Sequence, residues 1–370
     1  MSHHRRPLAA RLFDLATGLS TALARLPDKL VPPPFRLIQI GAAFWQSRAL
    51  YVAARLDLAT LIGDGQVEAA TLAGRAGAHA DSLRRLLRML AAMGVFEEVR
   101  PGTYRNNRLS TALRTDRPNS VRAMILMHNS PEMSRPWFET LEDGIRTGQT
   151  PFELAHGMPL YDRMDADPAF DRLFAQAMDQ VEALAGDAFT TAFDWRAFDR
   201  VIDVGGANGS KSMALLKRHP HLQAIVVDRP QTIAAAREHW TGHDTARTLG
   251  RMRFEAGDVF TSVPASTSAK DVYLLSAVLH GFDDHMCAKA LRNVAAAAAP
   301  NGCPIILLEM LMPDSHADMA TASFDMQMLM ATKGRERTLA EWEQVFEHGG
   351  VRLSEVVHLA SFAKMLVLRP

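Results

Sequence analysis

Apolar residues recur at three- or four-residue spacing from Leu8 through Leu12, Leu15, Leu19 and Leu23 to Leu26. That spacing predicts an amphipathic helix over residues 8–26. Its polar face is not strongly basic, so self-association or a protein partner suits it better than a membrane surface. Pro32-Pro33-Pro34 then breaks the chain. A second helix is expected over about 36–62. It is apolar all round, with Ile38, Ile40, Phe44, Trp45, Leu50, Val52 and Leu56, which implies burial in a subunit interface. Residues 67–107 read as a winged helix. A helix near 68–76 meets a turn at Gly77, and a second helix runs from an Asp81 N-cap to Met93. Gly94 stops it, and a hairpin turns at Pro101-Gly102.

From 118 to 195 the helical pattern continues, rich in methionine and aromatics. Most of these belong in a core, and a subset suits a pocket for a flat apolar molecule, with Met127 a candidate; the pattern alone does not sort the two groups. Beyond 196 the pattern changes to short apolar runs alternating with helices. Strands are expected at 201–204, 223–227, 252–254, 271–276, 304–308, 351–357 and 363–368. Helices are expected over 284–299, 320–331 and 338–348. This alternation predicts an α/β domain with a mainly parallel sheet covered on both faces. Three segments follow, at 1–117, 118–195 and 196–370.

The chemistry concentrates where Val201-Ile202-Asp203-Val204 runs into Gly205-Gly206-Ala207-Asn208-Gly209 and then into a helix. Strand, glycine turn, helix is the opening of a nucleotide-binding unit. The dinucleotide fingerprint fails at Ala207 and Ser210, and the phosphate loop fails because Ser210 replaces its second glycine. The S-adenosylmethionine loop [DE]-x-G-x-G-x-G fits at Asp203, Gly205 and Gly209, with Ala207 in place of the middle glycine. That ligand is cationic and lacks phosphate, which suits an acid at Asp203 and a loop without basic residues. Asp228 ends the next strand about 20 residues on, placed for ribose hydroxyls. Asp258, beside Val259, follows the third strand and is placed for an adenine amino group. Each acid alone reads more plainly as a helix cap or turn residue; three in register with successive strands argue for one crevice.

Composition sets the bounds. Lys plus Arg equals Asp plus Glu at 41 each, so no overall field recruits nucleic acid or an anionic membrane. Arg84, Arg85 and Arg88 lie where a DNA reader would place contacts, and no further basic cluster backs them. The two cysteines, Cys287 and Cys303, form no metal spacing, and His3-His4 reads as inert, so no metal is expected. No apolar run spans a membrane. Arg11 and Asp14 interrupt the segment after Arg5-Arg6, against a signal peptide. The expected location is the cytoplasm.

Together these motifs resemble the S-adenosylmethionine-dependent O-methyltransferases of the plant caffeate type and their bacterial relatives in phenazine and aromatic polyketide biosynthesis. The likeness covers residues 36–370. It includes Gly148-Gln149-Thr150-Pro151-Phe152, His156-Gly157, the Asp203–Gly209 loop, Val227-Asp228-Arg229-Pro230, Gly257-Asp258-Val259-Phe260 and Gly334-Arg335-Glu336-Arg337-Thr338. It implies a class I methyltransferase, Rossmann-like sheet behind a winged-helix dimerisation domain, S-adenosylmethionine as cofactor, and a homodimer. By position, Gly205, Asp228, Asp258 and Val259 resemble cofactor contacts. Ser276 stands where many plant members carry a cofactor-contacting lysine. His280 matches the family's catalytic histidine, and Glu309 and Glu336 match the two acids that flank it. Met178 and Met328 match positions that clamp an aromatic ring. The family's usual His-Asp-Trp is His280-Gly281-Phe282 here, which removes an acid and a tryptophan.

The expected reaction is methyl transfer to a hydroxyl of a small aromatic metabolite, with His280 as base and Glu309 and Glu336 each hydrogen-bonding one side of its ring. The rivals are N- or C-methylation, a non-methylating reaction such as hydroxylation, decarboxylation or cyclisation, and a winged-helix regulator that binds DNA.

Overall fold

The computed structural model describes residues 3–5, 7–240 and 246–370. Arg6 lies outside them. The side chains of His3 and His4 also lie outside what is described. The chain divides into two compact units, one made of Leu23–Leu184 and the other of Met1–Ala22 together with Ala185–Pro370. Residues 118–184 thus belong with the N-terminal unit rather than forming a segment of their own.

In chain order the strands are β1 (His3–Arg5), β2 (Gln66–Glu68), β3 (Phe96–Arg100), β4 (Thr103–Asn106), β5 (Arg200–Val204), β6 (Gln223–Asp228), β7 (Met252–Ala256), β8 (Asp271–Ser276), β9 (Ile305–Met310), β10 (Arg352–His358) and β11 (Ala363–Arg369). The unit Leu23–Leu184 holds a small antiparallel sheet in the order β2-β4-β3. Against it stand the helices Ala69–Ala76 and Ala80–Ala92, separated by a left-handed turn at Gly77. The N-cap of the second helix is His79, which accepts from the Ser82 backbone. Asp81 is the helix's second residue and pairs with Arg84 at 2.7 Å instead. The expected single helix over 36–62 is three, Pro33–Gly41, Ala43–Arg55 and Leu58–Ile62. The second break falls at Asp57, whose φ of 51° leaves the helical region.

The larger sheet has the order β1-β10-β11-β9-β8-β5-β6-β7. The five strands β5 to β9 are parallel, and β11 runs antiparallel between β9 and β10. Alternate residues feed opposite faces, the signature of pleated strands buried on both sides. Ile202, Val204, Tyr273, Leu275, Ile305 and Leu307 pack under the helices Asp284–Ala298 and Leu339–His348. Val201, Val226, Val272, Leu274, Ile306 and Leu308 pack with the helix Ser210–Arg218 on the other face. Nothing in the sequence pattern announces β1, which adds a strand parallel to β10 at the sheet's edge.

The first long helix, Leu8–Ala24, docks through the face that carries Ala10 and Phe13. Phe13 meets Phe362 edge-on at 5.4 Å, and Asp14 lies 3.9 Å from Lys364. Its leucine stripe points away. Leu8, Leu12, Leu15, Leu19, Leu23 and Leu26 are 49–72% exposed, and Phe35, Leu37, Ile38 and Trp45 are exposed as well. Apolar side chains left exposed in such number mark an association face. Static light scattering at micromolar concentration should therefore give twice the mass of one chain. Leu15→Glu combined with Trp45→Glu should shift the protein towards the monomer. A wild-type monomer that stays soluble would contradict this reading.

Candidate functional site

The strand order reverses at β5, with β6 on one side and β8 on the other. In such sheets the crevice beyond the carboxyl ends at that point is where ligands bind. The chain leaves β5 through Gly205 (φ 74°), Ala207 (φ 49°) and Gly209 (φ 79°) before the helix Ser210–Arg218 begins. A side chain at Gly205 would place its Cβ 2.7 Å from Val278, and one at Gly209 would meet Met252 Sδ at 2.8 Å. Both positions need glycine for conformation and space together. Ala207 carries a Cβ in a left-handed conformation, which costs about 1–2 kcal/mol. Its N–H donates to Asp228 Oδ2 at 2.9 Å, so the second strand's acid holds the turn in place.

The three strand-end acids do lie at the carboxyl ends of neighbouring strands, yet each already has work. Asp203 is fully buried beneath the turn, where its Oδ2 accepts from Ser212 Oγ at 2.6 Å. It supports the loop from below rather than opening onto the crevice, because Gly206 packs directly against its carboxyl. Asp228 accepts the backbone N–H of Ala207 and of Arg229, one on each oxygen. A carboxylate oxygen has a second lone pair, so capacity for a hydroxyl donor remains. Asp258 is exposed and caps its own turn, accepting from Phe260 N and Thr261 Oγ1, both at 2.9 Å. That is the plain turn-aspartate role. Val259 is half-buried and its carbonyl accepts from Asn293 Nδ2 at 2.7 Å. Ser276 ends β8 half-buried. Lys211, the residue of the near-miss phosphate loop, sits over the Phe189 ring at 5.0 Å.

His280 lies in a short 3₁₀ turn, Leu279–Gly281, just after β8. Its Nδ1 is 2.8 Å from Glu336 Oε1, and its side chain is 24% exposed against 2% for Glu336. With Glu336 ionised, Nδ1 is the nitrogen that donates, and the neutral ring keeps Nε2 as an acceptor. Glu309 does not hydrogen-bond the imidazole, contrary to expectation. Its Oε1 accepts the backbone N–H groups of Val278 (3.2 Å) and Leu279 (3.0 Å), which face it because the 3₁₀ turn leaves them unpaired. It acts on His280 through charge alone. Burial by itself pushes His280 down. The charge of Glu309, the Glu336 hydrogen bond and the Glu336 charge outweigh that, and the ring is raised to about 9. Burial likewise raises Glu309 above the usual carboxylate range, more than the histidine's charge and the two backbone donors lower it.

Of the substrate candidates, Met328 is half-buried in the helix Met319–Ala331, which leads into the loop carrying Glu336. Met178 is half-buried and Met127 fully buried, and both belong to the unit Leu23–Leu184. Full burial of Met127 matches a core residue.

Four residues at the site were not assigned a role from the sequence. Gly334 rests on the backbone after His280, so that a Cβ there would lie 1.8 Å from the His280 carbonyl oxygen. Asp325 Oδ1 accepts the Glu336 N–H at 2.9 Å. Arg337 is fully buried. Ala277 takes a left-handed φ of 51°, a strain of the kind that clusters at functional sites. The loop 334–338 stood out as a motif, but local pattern does not say what its glycine and second arginine touch.

The family model for the O-methyltransferase domain matches residues 138–352, and that for the O-methyltransferase dimerisation domain matches 38–116. The chain belongs to the O-methyltransferase family. It is 32% identical over 340 residues to the phenazine O-methyltransferase of Lysobacter antibioticus, covering 92% of this chain and 97% of that one. It is 30% identical over 331 residues to the phenazine-1-carboxylate N-methyltransferase of Pseudomonas aeruginosa, covering 90% and 96%. The fold superposes, with a TM-score of 0.73 and 31% identity, on an O-methyltransferase from neocarzinostatin biosynthesis solved in complex with S-adenosylmethionine and 2-hydroxy-5-methyl naphthoic acid. That match covers 87% of this chain and 95% of the other. The resemblance read from the motifs is therefore correct, as are the methyltransferase fold and the enzyme class, and S-adenosylmethionine is the cofactor this family uses. No described helix is long and apolar enough to cross a membrane.

The contact between Gly334 and the His280 carbonyl yields a test. Gly334→Ala should destabilise by about 1–3 kcal/mol, as overpacking against backbone does. Gly74→Ala meets open space inside the helix Ala69–Ala76 and should be neutral or stabilising by about 0.5–1 kcal/mol. Denaturant melts of both variants decide it; an unchanged midpoint for Gly334→Ala would mean that the loop does not press on this turn.

Proposed function

We propose that this protein transfers the methyl group of S-adenosylmethionine to a hydroxyl of a small aromatic metabolite, with His280 as general base. The observation that carries the reading is the 2.8 Å contact of His280 Nδ1 with the buried carboxylate of Glu336, which orients the ring and leaves Nε2 to take a proton. The residues suited to the cofactor are Gly205 and Gly209, whose cradle admits no side chain, and Asp228, which has lone pairs free for ribose hydroxyls. Asp258, Val259 and Ser276 would complete that site. Bound S-adenosylmethionine supplies an activated methyl group on a sulfonium carbon and disfavours a second positive charge on His280 nearby. The protein's part is to align the acceptor, worth roughly 7–11 kcal/mol, and to make it nucleophilic. Met328, half-buried in the helix that leads to Glu336, is the proposed acceptor contact, and the working form is a homodimer. The similar proteins that act on phenazines and naphthoates support an aromatic acceptor. The one with an N-methyltransferase name favours a nitrogen acceptor as the second reading.

Three outcomes are expected. Titration calorimetry with S-adenosylhomocysteine should show Asp228→Ala weakened by roughly 1–3 kcal/mol, since the variant loses the ribose partner and the bond that holds Ala207. His280→Ala should bind the same ligand as the wild type and lose roughly 10²–10⁴ in turnover of a hydroxyl acceptor. Turnover at the wild-type rate, with chemistry rate-limiting, would remove His280 as the base. A base must be neutral, so kcat/KM should rise with pH as the imidazolium loses its proton, in cofactor-free protein at about 9. Glu336→Gln removes the carboxylate that stabilises the charged ring, so its limb should move to lower pH. Ionisation of the acceptor itself would leave the limb unmoved between the two proteins.

A further inference from the structure

Glu336 and Arg337 are neighbours in sequence, and they grip the same turn from two sides. Glu336 holds the imidazole of His280. Arg337 is fully buried and reaches the backbone that follows it. Its Nε and Nη2 lie 2.8 and 2.7 Å from Asp284 Oδ1, Nη2 donates to the Phe282 carbonyl at 2.8 Å, and Nη1 donates to the Arg335 carbonyl at 3.4 Å. The guanidinium also stacks over Trp342 at 4.8 Å. The stretch 281–284 is a short strap between the 3₁₀ turn of His280 and the helix Asp284–Ala298, which Asp283 caps through the Met286 N–H. Cys287 Sγ pins the strap from the helix side through the carbonyls of Leu279 (3.0 Å) and Phe282 (3.5 Å).

Burying a guanidinium completely is costly, and an ion pair with a half-exposed aspartate returns little of that cost. A hydrophobic side chain against Trp342 would serve packing as well. What a hydrophobic residue cannot do is fork between Asp284 and the Phe282 carbonyl and so fix the strap's direction. We propose that Arg337 is a positioning residue for His280, locking the strap that follows the histidine so that the imidazole stays within reach of Glu336. The proposal rests on the reading of His280 as the base. In this chain the strap begins at Gly281, which brings no side chain of its own to restrain it. The burden of fixing the turn therefore falls on the clamp from the facing loop.

The charges acting on the imidazole come from Glu309 at the end of β9 and from Glu336 and Arg337 on the loop. Asp325 binds the Glu336 backbone, Asp283 caps the following helix, and Asp284 is engaged by Arg337 itself. Arg337→Lys keeps the positive charge and loses the fork, so it separates geometry from electrostatics. The test uses full-length protein and ¹⁵N-histidine NMR without ligand, together with turnover of an accepted phenol. In Arg337→Lys the His280 Nδ1–H signal should broaden, and its titration midpoint should fall from about 9 towards the ordinary histidine value as the Glu336 contact loosens. Turnover should fall roughly ten- to a hundredfold, as small misplacements of a reacting group do. The affinity for S-adenosylhomocysteine should stay within about twofold. Asp284→Ala, at a half-exposed side chain, should show the same changes to a smaller degree and serves if Arg337→Lys does not fold. A variant with lowered melting temperature but an unmoved His280 titration and wild-type turnover would make Arg337 a packing residue and overturn the proposal. His280→Ala, measured alongside, keeps the two ideas apart. If it retains wild-type turnover, the base reading fails, while the NMR result still decides whether Arg337 positions the ring.

Discussion

The site depends on one close approach of two backbone segments. The loop that starts at Gly334 lies on the peptide after His280, so closely that a single added methyl group would collide with its carbonyl. That approach lets Glu336 reach the imidazole at 2.8 Å and lets Arg337 reach the Phe282 carbonyl at the same distance. Loop and turn lie on opposite sides of the β9 strand in sequence, so their contact is made by the tertiary fold and not by local pattern.

The sheet in turn explains where the two turns meet. Reversal of strand order at β5 opens a crevice, and the glycine turn enters it on one side while the turn after β8 enters from the other. Val278 touches Gly205, so the segment that carries His280 also shapes the glycine turn. The strain stored in Ala207 and Ala277 sits on these two turns, held by the Asp228 carboxylate in one case and by a bond from Ala277 N–H to the Leu308 carbonyl in the other.

Electrostatically the site is a histidine in the field of two buried carboxylates. Burial opposes charge on His280 and on Glu309, and the attraction of the carboxylates restores it on the histidine. A ring raised in this way favours its protonated form near neutral pH. The buried arginine on the same loop adds a positive charge that opposes the histidine's own. The loop thus both raises the basicity of the ring, through Glu336, and limits it, through Arg337.

Much of this was legible in the chain itself. Periodicity located the strands of the large sheet except β1, because strands buried on both faces must be short apolar runs, and glycines with strand-end acids marked the crevice. The order of motifs carried the family. Tertiary structure decided what each acid does. A carboxylate takes whichever donors are nearest, and these come from segments distant in sequence: Ser212 for Asp203, Ala207 for Asp228, and the amides of Val278 and Leu279 for Glu309. The same holds for Arg337, an unremarkable cation in the sequence that only folding encloses, and for the leucine stripe, whose spacing predicts a helix while only the fold shows which face is left for a partner. Local sequence sets spacing and backbone preference; which polar groups meet is set by competition among donors in three dimensions.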